Sequence, residues 1–248
     1  MKYQMMKKYI NKSVLIQVLF ALTIIVCNAC KKDEPAAKIL ETGTMTDVEG
    51  NSYRTVKIGN QWWMSENLKV NKFRNGMPLP KVESNELWKE KKSSACNYNN
   101  SATAGILYNY YAIEDTNKIA PAGWHIPSDE EWKQLEKELG MSNTDVEKIN
   151  WRGNNEGEKL KKEGFQYWRS SADVWATNES GFSAISDGCR MFSGEFSNPN
   201  GPGFMGFWWT SSNNGDEAWY RHLDYKNANV FRFYGPKNYG FSIRCVKD

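Results

Sequence analysis

The sequence predicts a domain of short strands and long ordered loops with few helices. It contains 11 Trp, 12 Tyr and 11 Phe, whereas Leu, Ile and Val are sparse, so rings supply much of the burial that aliphatic side chains usually supply. The 19 glycines and the frequent asparagines supply turns between short elements. Strong helix signals are confined to one stretch near the middle of the chain.

Residues 1–29 have the pattern of an export signal. Four lysines and no acidic residue precede an apolar run over residues 14–26, which is too short to span a bilayer as a helix. The run ends in CNAC, and Ala29 directly before Cys30 resembles a lipobox. We therefore expect cleavage before Cys30 and lipidation of its thiol. An uncleaved anchor helix and a plain secreted protein are the alternatives.

Residues 30–43 read as a flexible tether, because the stretch after Cys30 is charged and contains Pro and Ala. Lys31 replaces the Asp that retains many lipoproteins in the inner membrane, and the charged stretch resembles the surface-export signal of Bacteroidota lipoproteins. These features predict an outer-membrane protein with a lipid anchor, facing the periplasm or the cell surface.

Charge argues against a nucleic-acid partner. The whole chain has 32 basic and 29 acidic residues, but the predicted signal accounts for four lysines and no acid. The mature chain is therefore close to neutral, and it lacks the basic excess that a phosphate backbone requires. The roughly 205 residues after the tether suffice for one domain with a sizeable core.

Three cysteines remain in the predicted mature domain once Cys27 is removed and Cys30 is lipidated. Cys96, Cys189 and Cys245 can form at most one intramolecular disulfide in an oxidising compartment. Their spacing does not choose among the three pairings.

The first part of the domain reads as a small antiparallel meander. β-forming residues from Tyr53 to Ile58 follow a turn at residues 49–51, and a second turn at Gly59 and Asn60 leads to a short strand over 61–64. Residues 71–105 look irregular. For residues 107–113, periodicity does not decide between a helix and a strand.

The segment after Pro127 carries the clearest helix signal. Ser128 and Glu131 form a capping box, apolar residues recur on one face, and Gly140 supplies the expected stop. This predicts a helix of about 11 residues. Asn143 or Thr144 is expected to cap a second short helix that ends at Ile149.

From residue 181 onward the chain is expected to form strands separated by turns. The last two long ones, 219–225 and 229–233, read as a hairpin. The predicted strands cover residues 182–185, 189–192, 207–211, 218–225, 230–234 and 241–246.

Six ordered motifs over residues 44–248 resemble the Fibrobacter succinogenes major paralogous domain. That family is similar to the C-type-lectin-like fold and, within it, to the sulfatase-modifying (formylglycine-generating) branch. The resemblance implies an α+β domain with a twisted antiparallel sheet, two helices and long irregular loops. The motifs are TVKIGNQWWMSENL (55–68), LYNYYA (107–112), PAGWHIPSDEEWKQL (121–135), WWTSS (208–212), AWY (218–220) and YGFSIRCV (239–246).

Two departures from the family pattern concern cysteine. The family usually has Cys before its Pro-Gly-Trp motif, where this chain has Ala120, and an aromatic residue where this chain has Cys189. Compared with the family pattern, one cysteine lost and one gained suggest a re-routed disulfide between Cys189 and Cys245.

Few residues suggest catalysis or metal binding. His125 is expected to pack or hydrogen-bond, and His222 to lie exposed or across a strand pair; there is no zinc-ligand spacing. Asp129, Glu130 and Glu131 are explained by the first turn of the helix. Cys245 lacks the nearby second cysteine of the formylglycine-generating enzymes. We expect no cofactor, no metal and no enzymatic activity.

The aromatic side chains divide into two groups. Five tryptophans inside the motifs are expected in the core: Trp63, Trp124, Trp132, Trp208 and Trp219. Rings in less patterned loops are candidates for a binding face, because exposed rings stack on sugars or fill peptide pockets. These candidates are Trp151, Trp168, Trp175, Phe196 and Phe204.

The sequence therefore predicts a binding module for a glycan, a peptide or a protein partner. An enzyme related to the formylglycine-generating branch and a structural envelope component are the alternatives.

Overall fold

The computed structural model describes residues 39–101, 105–197 and 203–248. The predicted signal peptide, Cys30 and most of the predicted tether lie outside the described residues. Leu40–Asp248 forms one compact unit. In the described part of the chain, no helix has the length and apolar character needed to cross a membrane.

Short strands dominate the fold, as predicted, and helices are few. The described residues form eleven strands: β1 (Thr42–Thr46), β2 (Ser52–Ile58), β3 (Gln61–Met64), β4 (Ala95–Asn97), β5 (Ile106–Tyr108), β6 (Trp124–His125), β7 (Asn150–Arg152), β8 (Met205–Asn214), β9 (Glu217–Asp224), β10 (Val230–Pro236) and β11 (Val246–Lys247). The α-helices are α1 (Asn85–Trp88), α2 (Tyr110–Glu114), α3 (Asp129–Glu138) and α4 (Glu156–Leu160), and a 3₁₀ turn covers Tyr98–Asn100.

The first sheet contains the predicted meander. Its strand order is β1-β2-β3-β11-β6, and every pairing is antiparallel. Gly59 makes the β2–β3 turn with a φ of 58°, a conformation that glycine adopts without strain. The fold begins before the predicted boundary at residue 44, because Thr42 and Gly43 pair with Val56 and Thr55.

The second sheet contains the predicted hairpin. Its order is β7-β10-β9-β8, again antiparallel, and Phe231 of β10 lies opposite His222 of β9. A bulge interrupts the β8–β9 pairing between Trp209 and Asn213. The remaining two-stranded sheet joins β4 to β5. The α+β class with antiparallel sheets is therefore confirmed, although the strands form three sheets and not one.

Three of the predicted strands are mostly irregular. Residues 182–185, 189–192 and 241–245 form only isolated bridges within the described chain. Positive φ values at Gly181, Ser183 and Gly188 interrupt the extended backbone that a continuous strand requires. The undecided segment 107–113 divides between β5 and α2, because the Asn109 side chain accepts from Ala112 N–H at 3.1 Å and starts the helix.

Helix α3 forms as predicted. Ser128 and Glu131 make the capping box in both directions, and Gly140 follows the helix with a φ of 111°. The second helix predicted for residues 143–149 is wrong. Ser142, and not Asn143 or Thr144, supplies the cap by accepting from Asp145 N–H at 3.0 Å, and the chain makes only turns before entering β7.

Aromatic rings fill the core. Trp63 of β3, Trp132 of α3 and Phe182 meet with ring centroids 5.2 to 5.8 Å apart, which is the range of favourable edge and tilted contacts. Of the five tryptophans predicted in the core, four are buried; Trp219 is only partly buried. This ring cluster joins α3 to the first sheet.

The disulfide suggested between Cys189 and Cys245 is wrong. Both residues are buried free thiols, as is Cys96. The Arg190–Gly240 bridge places Cys189 opposite Phe241, four residues before Cys245. The bridge therefore does not place Cys189 beside Cys245.

A buried ion cluster connects α3 to the second sheet. Arg221 of β9 contacts Asp129 and Glu136 at 2.7 Å each, and Arg232 of β10 reaches Asp129 at 2.6 Å. Arg152 of β7 also pairs with Glu136, and all five side chains are buried. Burial alone would raise the pKa of Asp129, but the two arginines hold it well below its usual range.

Neutralising Glu136 tests this cluster. Glu136→Gln leaves Arg152 and Arg221 buried beside an uncharged group, so we expect a loss of about 3 kcal/mol or more in the free energy of unfolding. Guanidinium titration followed by tryptophan fluorescence measures the change. Glu130→Gln, at an exposed position on the same helix, is the matched control and should cost at most about 1 kcal/mol. Equal effects of the two variants would contradict the role of the cluster.

His125 has the hydrogen-bonding role that was predicted. Its Nδ1 lies 2.7 Å from Asp248 Oδ1, and its Nε2 lies 2.7 Å from Glu131 Oε1, which links β6 to the cap of α3. Burial would lower the pKa of His125, but the two carboxylates outweigh it, and the pKa is raised.

The raised pKa of His125 makes stability depend on pH. The folded state binds the imidazole proton more tightly than the unfolded state, so the contribution is complete below about pH 6.5. It is lost as the pH rises through the folded-state pKa. We expect the unfolding free energy of the native protein, relative to His125→Gln, to fall as the pH rises above about 6.5. Parallel pH profiles for the two proteins, measured by denaturant unfolding, would refute this.

Candidate functional site

The five aromatic candidates do not share one face. Trp168 is buried, and its Nε1–H donates to the Ala184 carbonyl at 2.9 Å. Phe196 packs on Tyr98 in a small interior cluster. Trp151 lies at the edge of the second sheet with 37% of its surface exposed, and Trp175 is 65% exposed in a loop. Trp168 and Phe196 therefore support the structure and do not form an exposed binding face.

Trp175 belongs to a pocket that we call the aromatic pocket. It has a volume of about 240 Å³ and lies between the loop after α4 and Tyr225 at the end of β9. Phe165 is 78% exposed and lines this pocket. It was not among the residues predicted from the sequence, where its position after Gly164 in a polar loop is the only indication of exposure. The lining residues are Lys161, Gly164, Phe165, Trp168, Arg169, Ser170, Ser171, Val174, Trp175, Ala176 and Tyr225.

Hydrogen bonds and ring contacts hold the wall of the aromatic pocket in place. The backbone N–H of Trp175 donates to Glu158 Oε1 at 2.8 Å, and the Arg169 N–H donates to the Gly203 carbonyl at 2.8 Å. Phe204 supports the wall, because its ring contacts Tyr225 at 5.3 Å and lies under the Arg169 guanidinium at 4.4 Å. The exposed rings are thus attached to a backbone with defined hydrogen bonds.

Lys161 contributes a buried cation beside the aromatic pocket. Its Nζ donates to the Asn227 carbonyl at 2.6 Å and lies 5.4 Å from the centre of the Trp168 ring. Burial lowers the pKa of this amine to about 8. The pocket therefore combines apolar ring faces with amine, guanidinium and serine hydroxyl groups.

Trp151 ends a row of rings that crosses the second sheet. It contacts His222 and Phe231 at 5.2 Å, and His222 stacks on Phe207 at 4.2 Å. The cross-strand role predicted for His222 is confirmed. Burial lowers the pKa of His222 to about 3, so the imidazole is neutral and acts as one more ring in the row.

A second and larger cavity was not predicted from the sequence. This polar cleft has a volume of about 710 Å³. It is lined by Arg54, Ser65, Glu66, Asn67, Leu68, Lys69, Asn71, Lys81, Asn97, Tyr98, Gly105, Ile106, Lys162, Gln166, Tyr167, Ser183, Ile185, Ser186, Asp187 and Arg244. These residues come from widely separated parts of the chain, so no local pattern could have indicated them.

Asn67 organises the floor of the polar cleft. Its Oδ1 accepts from Trp208 Nε1 at 3.0 Å and from Arg244 Nε at 2.8 Å. Its Nδ2 donates to Asp187 Oδ2 at 2.7 Å and to Ser242 Oγ at 3.1 Å. A single amide therefore fixes the arginine and the carboxylate at the floor.

Both charged groups at this floor have shifted pKa values. Burial raises the pKa of Asp187, although the hydrogen bond from Asn67 and the charge of Arg244 oppose the rise. Burial lowers the pKa of Arg244 to about 9, and its guanidinium donates to backbone carbonyls, including that of Ser183 at 2.8 Å. A carboxyl group with a raised pKa in a cavity of this size marks a candidate site.

The thiols and carboxylates do not gather into a reactive centre. Burial raises the pKa of Cys96 to about 11 and of Cys189 to about 12, and it raises that of Cys245 further, so all three stay protonated. Glu130 and Glu131 lie in the first turn of α3 as predicted. Within the described ranges, no group of three His, Cys, Asp or Glu side chains is placed to hold a metal ion.

Comparison with known proteins identifies the family of this chain. No curated protein matches the chain, and no solved structure matches it. The family model described as the Fibrobacter succinogenes major domain matches residues 56–247, a range that contains the polar cleft's floor and every residue of the aromatic pocket. The chain therefore belongs to the Fibrobacter succinogenes major domain family.

Proposed function

We propose that this protein is a lipid-anchored envelope protein whose domain binds a glycan in the aromatic pocket. The observation that carries the proposal is the pair of exposed rings, Phe165 and Trp175, beside one small cavity. Large rings left in water are costly unless a ligand or partner covers them, and contiguous exposed apolar surface commonly marks a binding site.

The chemistry of the aromatic pocket suits a sugar ring. The apolar C–H faces of a sugar stack on aromatic rings, while its hydroxyls need donors and acceptors, which Ser170, Ser171 and Arg169 offer. The volume of about 240 Å³ lies just below the range of roughly 300–1,000 Å³ found for drug-sized ligands. One sugar unit, as the end of a longer chain, fits this size better than a folded peptide.

The lectin-like resemblance supports the same proposal by analogy, since proteins with such folds bind their ligands with long loops. The enzyme alternative, through the formylglycine-generating branch, needs a reactive cysteine pair in a late loop. Buried thiols with raised pKa values give that chemistry no support. A structural envelope component remains the other alternative, and it predicts no soluble ligand.

Glycan binding by the full-length protein tests the proposal. We expect a glycan array to identify oligosaccharides with a neutral terminal sugar. In calorimetry, Trp175→Ala and Phe165→Ala should each weaken the best of them by about tenfold or more, because each removes a stacking face. Trp168→Ala is unsuitable, because removing this buried ring destabilises the domain.

Phe192→Ala is the matched control, because Phe192 is half exposed but does not line the aromatic pocket. It should leave affinity unchanged. Equal affinity in all three variants, or binding to a peptide array in place of the glycan array, would overturn the proposal.

Lipidation at Cys30 is tested in a bacterial host with an alkyne-labelled fatty acid. We expect Cys30→Ser to abolish labelling and to retain the signal segment, because diacylglycerol transfer requires the thiol. Cys27→Ser is the matched control and should be labelled like the native chain. Labelling that persists in Cys30→Ser would contradict the anchor.

A further inference from the structure

The polar cleft has more basic than acidic side chains. Arg54 pairs with Glu66 at 2.9 Å, but Lys69, Lys81 and Lys162 make no ion pair with any described residue. Two of these amines are held over rings: Lys69 Nζ lies 5.0 Å from the Tyr53 centroid, and Lys162 Nζ lies 3.9 Å from that of Tyr167. The rim is therefore suited to an anionic group on a ligand.

The floor of the cleft offers the opposite chemistry. Asp187 Oδ2 accepts from Asn67, whereas its Oδ1 has no hydrogen-bond partner in the described part of the chain. A partly buried carboxylate oxygen without a donor favours a ligand that brings a hydroxyl or N–H group. The free acceptor on Asp187 therefore favours the ligand's donors at the floor, and the unpaired lysines favour its anionic groups at the rim.

We propose that the polar cleft is a second binding site, specific for an acidic oligosaccharide. Carboxylate or sulfate groups of the sugar would contact Lys69, Lys81 and Lys162, and a hydroxyl would donate to Asp187. The volume of about 710 Å³ accommodates two or three sugar units, and the amides of Asn71 and Gln166 add hydrogen-bonding groups for hydroxyls. The inference does not depend on ligand binding in the aromatic pocket.

An acidic peptide is the competing ligand, because it also brings anions and N–H donors. A peptide, however, presents its charges on flexible side chains, and the cleft would have to order each of them. A uronate or sulfated sugar carries its charge and its hydroxyls on one rigid ring. The structure therefore favours the sugar.

Calorimetry with matched ligands tests the proposal on the full-length protein. The probes are tetragalacturonate, its methyl ester, a sulfated tetrasaccharide and pentaglutamate. We expect tetragalacturonate or the sulfated sugar to bind, and the methyl ester to bind about tenfold more weakly than the uronate, since it lacks the charge. The double variant Lys81→Gln/Lys162→Gln should lose about tenfold in affinity for the acidic sugar and much of its salt dependence.

Asp187 is tested with the uncharged ester, so that no relief of repulsion hides the lost hydrogen bond. Asp187→Ala should weaken binding of the ester further. Lys91→Gln, at an exposed lysine outside the cleft, is the charge-matched control and should bind like the native protein. Thermal unfolding confirms that each variant is folded.

The outcomes separate this inference from the proposed function. Loss of acidic-sugar binding in the cleft variants, with Trp175→Ala unaffected, supports the second site. Loss in Trp175→Ala alone assigns the ligand to the aromatic pocket and overturns the inference. Binding of neither acidic sugar, or tighter binding of pentaglutamate, also overturns it.

Discussion

The arrangement of this domain depends on the buried ion cluster under helix α3. Arg221 and Arg232 are direct partners in the β9–β10 register, so two guanidinium groups lie side by side on one face of the second sheet. Burying them requires opposite charge at short distance. Asp129 and Glu136, seven residues apart on α3, supply it and determine which face of the helix meets the sheet.

Once that face is fixed, the rest of α3 is fixed as well. Trp132 and Leu135 lie between the two carboxylates and turn toward Trp63 of the first sheet. The helix thus joins the two larger sheets, to the second by charge and to the first by rings. The capping box at Ser128 determines the residue at which the helix begins, and hence the positions of both carboxylates along the helix axis.

The sequence could predict what is decided locally. The capping box, the β2–β3 turn and the β9–β10 hairpin depend on residues close together in the chain, and all three form. Whether a side chain is exposed, by contrast, depends on partners that are distant in the sequence. Trp168 and Phe165 lie three residues apart in one loop. Trp168 is buried and donates a hydrogen bond to the Ala184 carbonyl, whereas Phe165 is exposed to solvent. No pattern in the loop itself distinguishes the two rings.

The polar cleft shows the same limit more strongly, since Asn67 and Asp187 are 120 residues apart and meet only in the folded chain. The suggested disulfide failed for the same reason. Its basis was which cysteines the family has, whereas the folded chain determines which cysteines can meet, and all three thiols are free.

Residues 160–169 form a wall shared by the two cavities, and their backbone explains how neighbouring lysines serve different sites. The Lys162 N–H donates to the Ala184 carbonyl and the Ala184 N–H donates to the Leu160 carbonyl, both at 2.8 Å, which makes a parallel bridge at Lys161. Successive side chains of a bridged, extended segment point to opposite sides. Lys161 therefore lies beside the aromatic pocket and Lys162 beside the polar cleft. Because the bridge is made by backbone atoms and the Lys162 side chain is only partly buried, substituting Lys162 leaves the wall intact, so the polar cleft can be altered without the aromatic pocket.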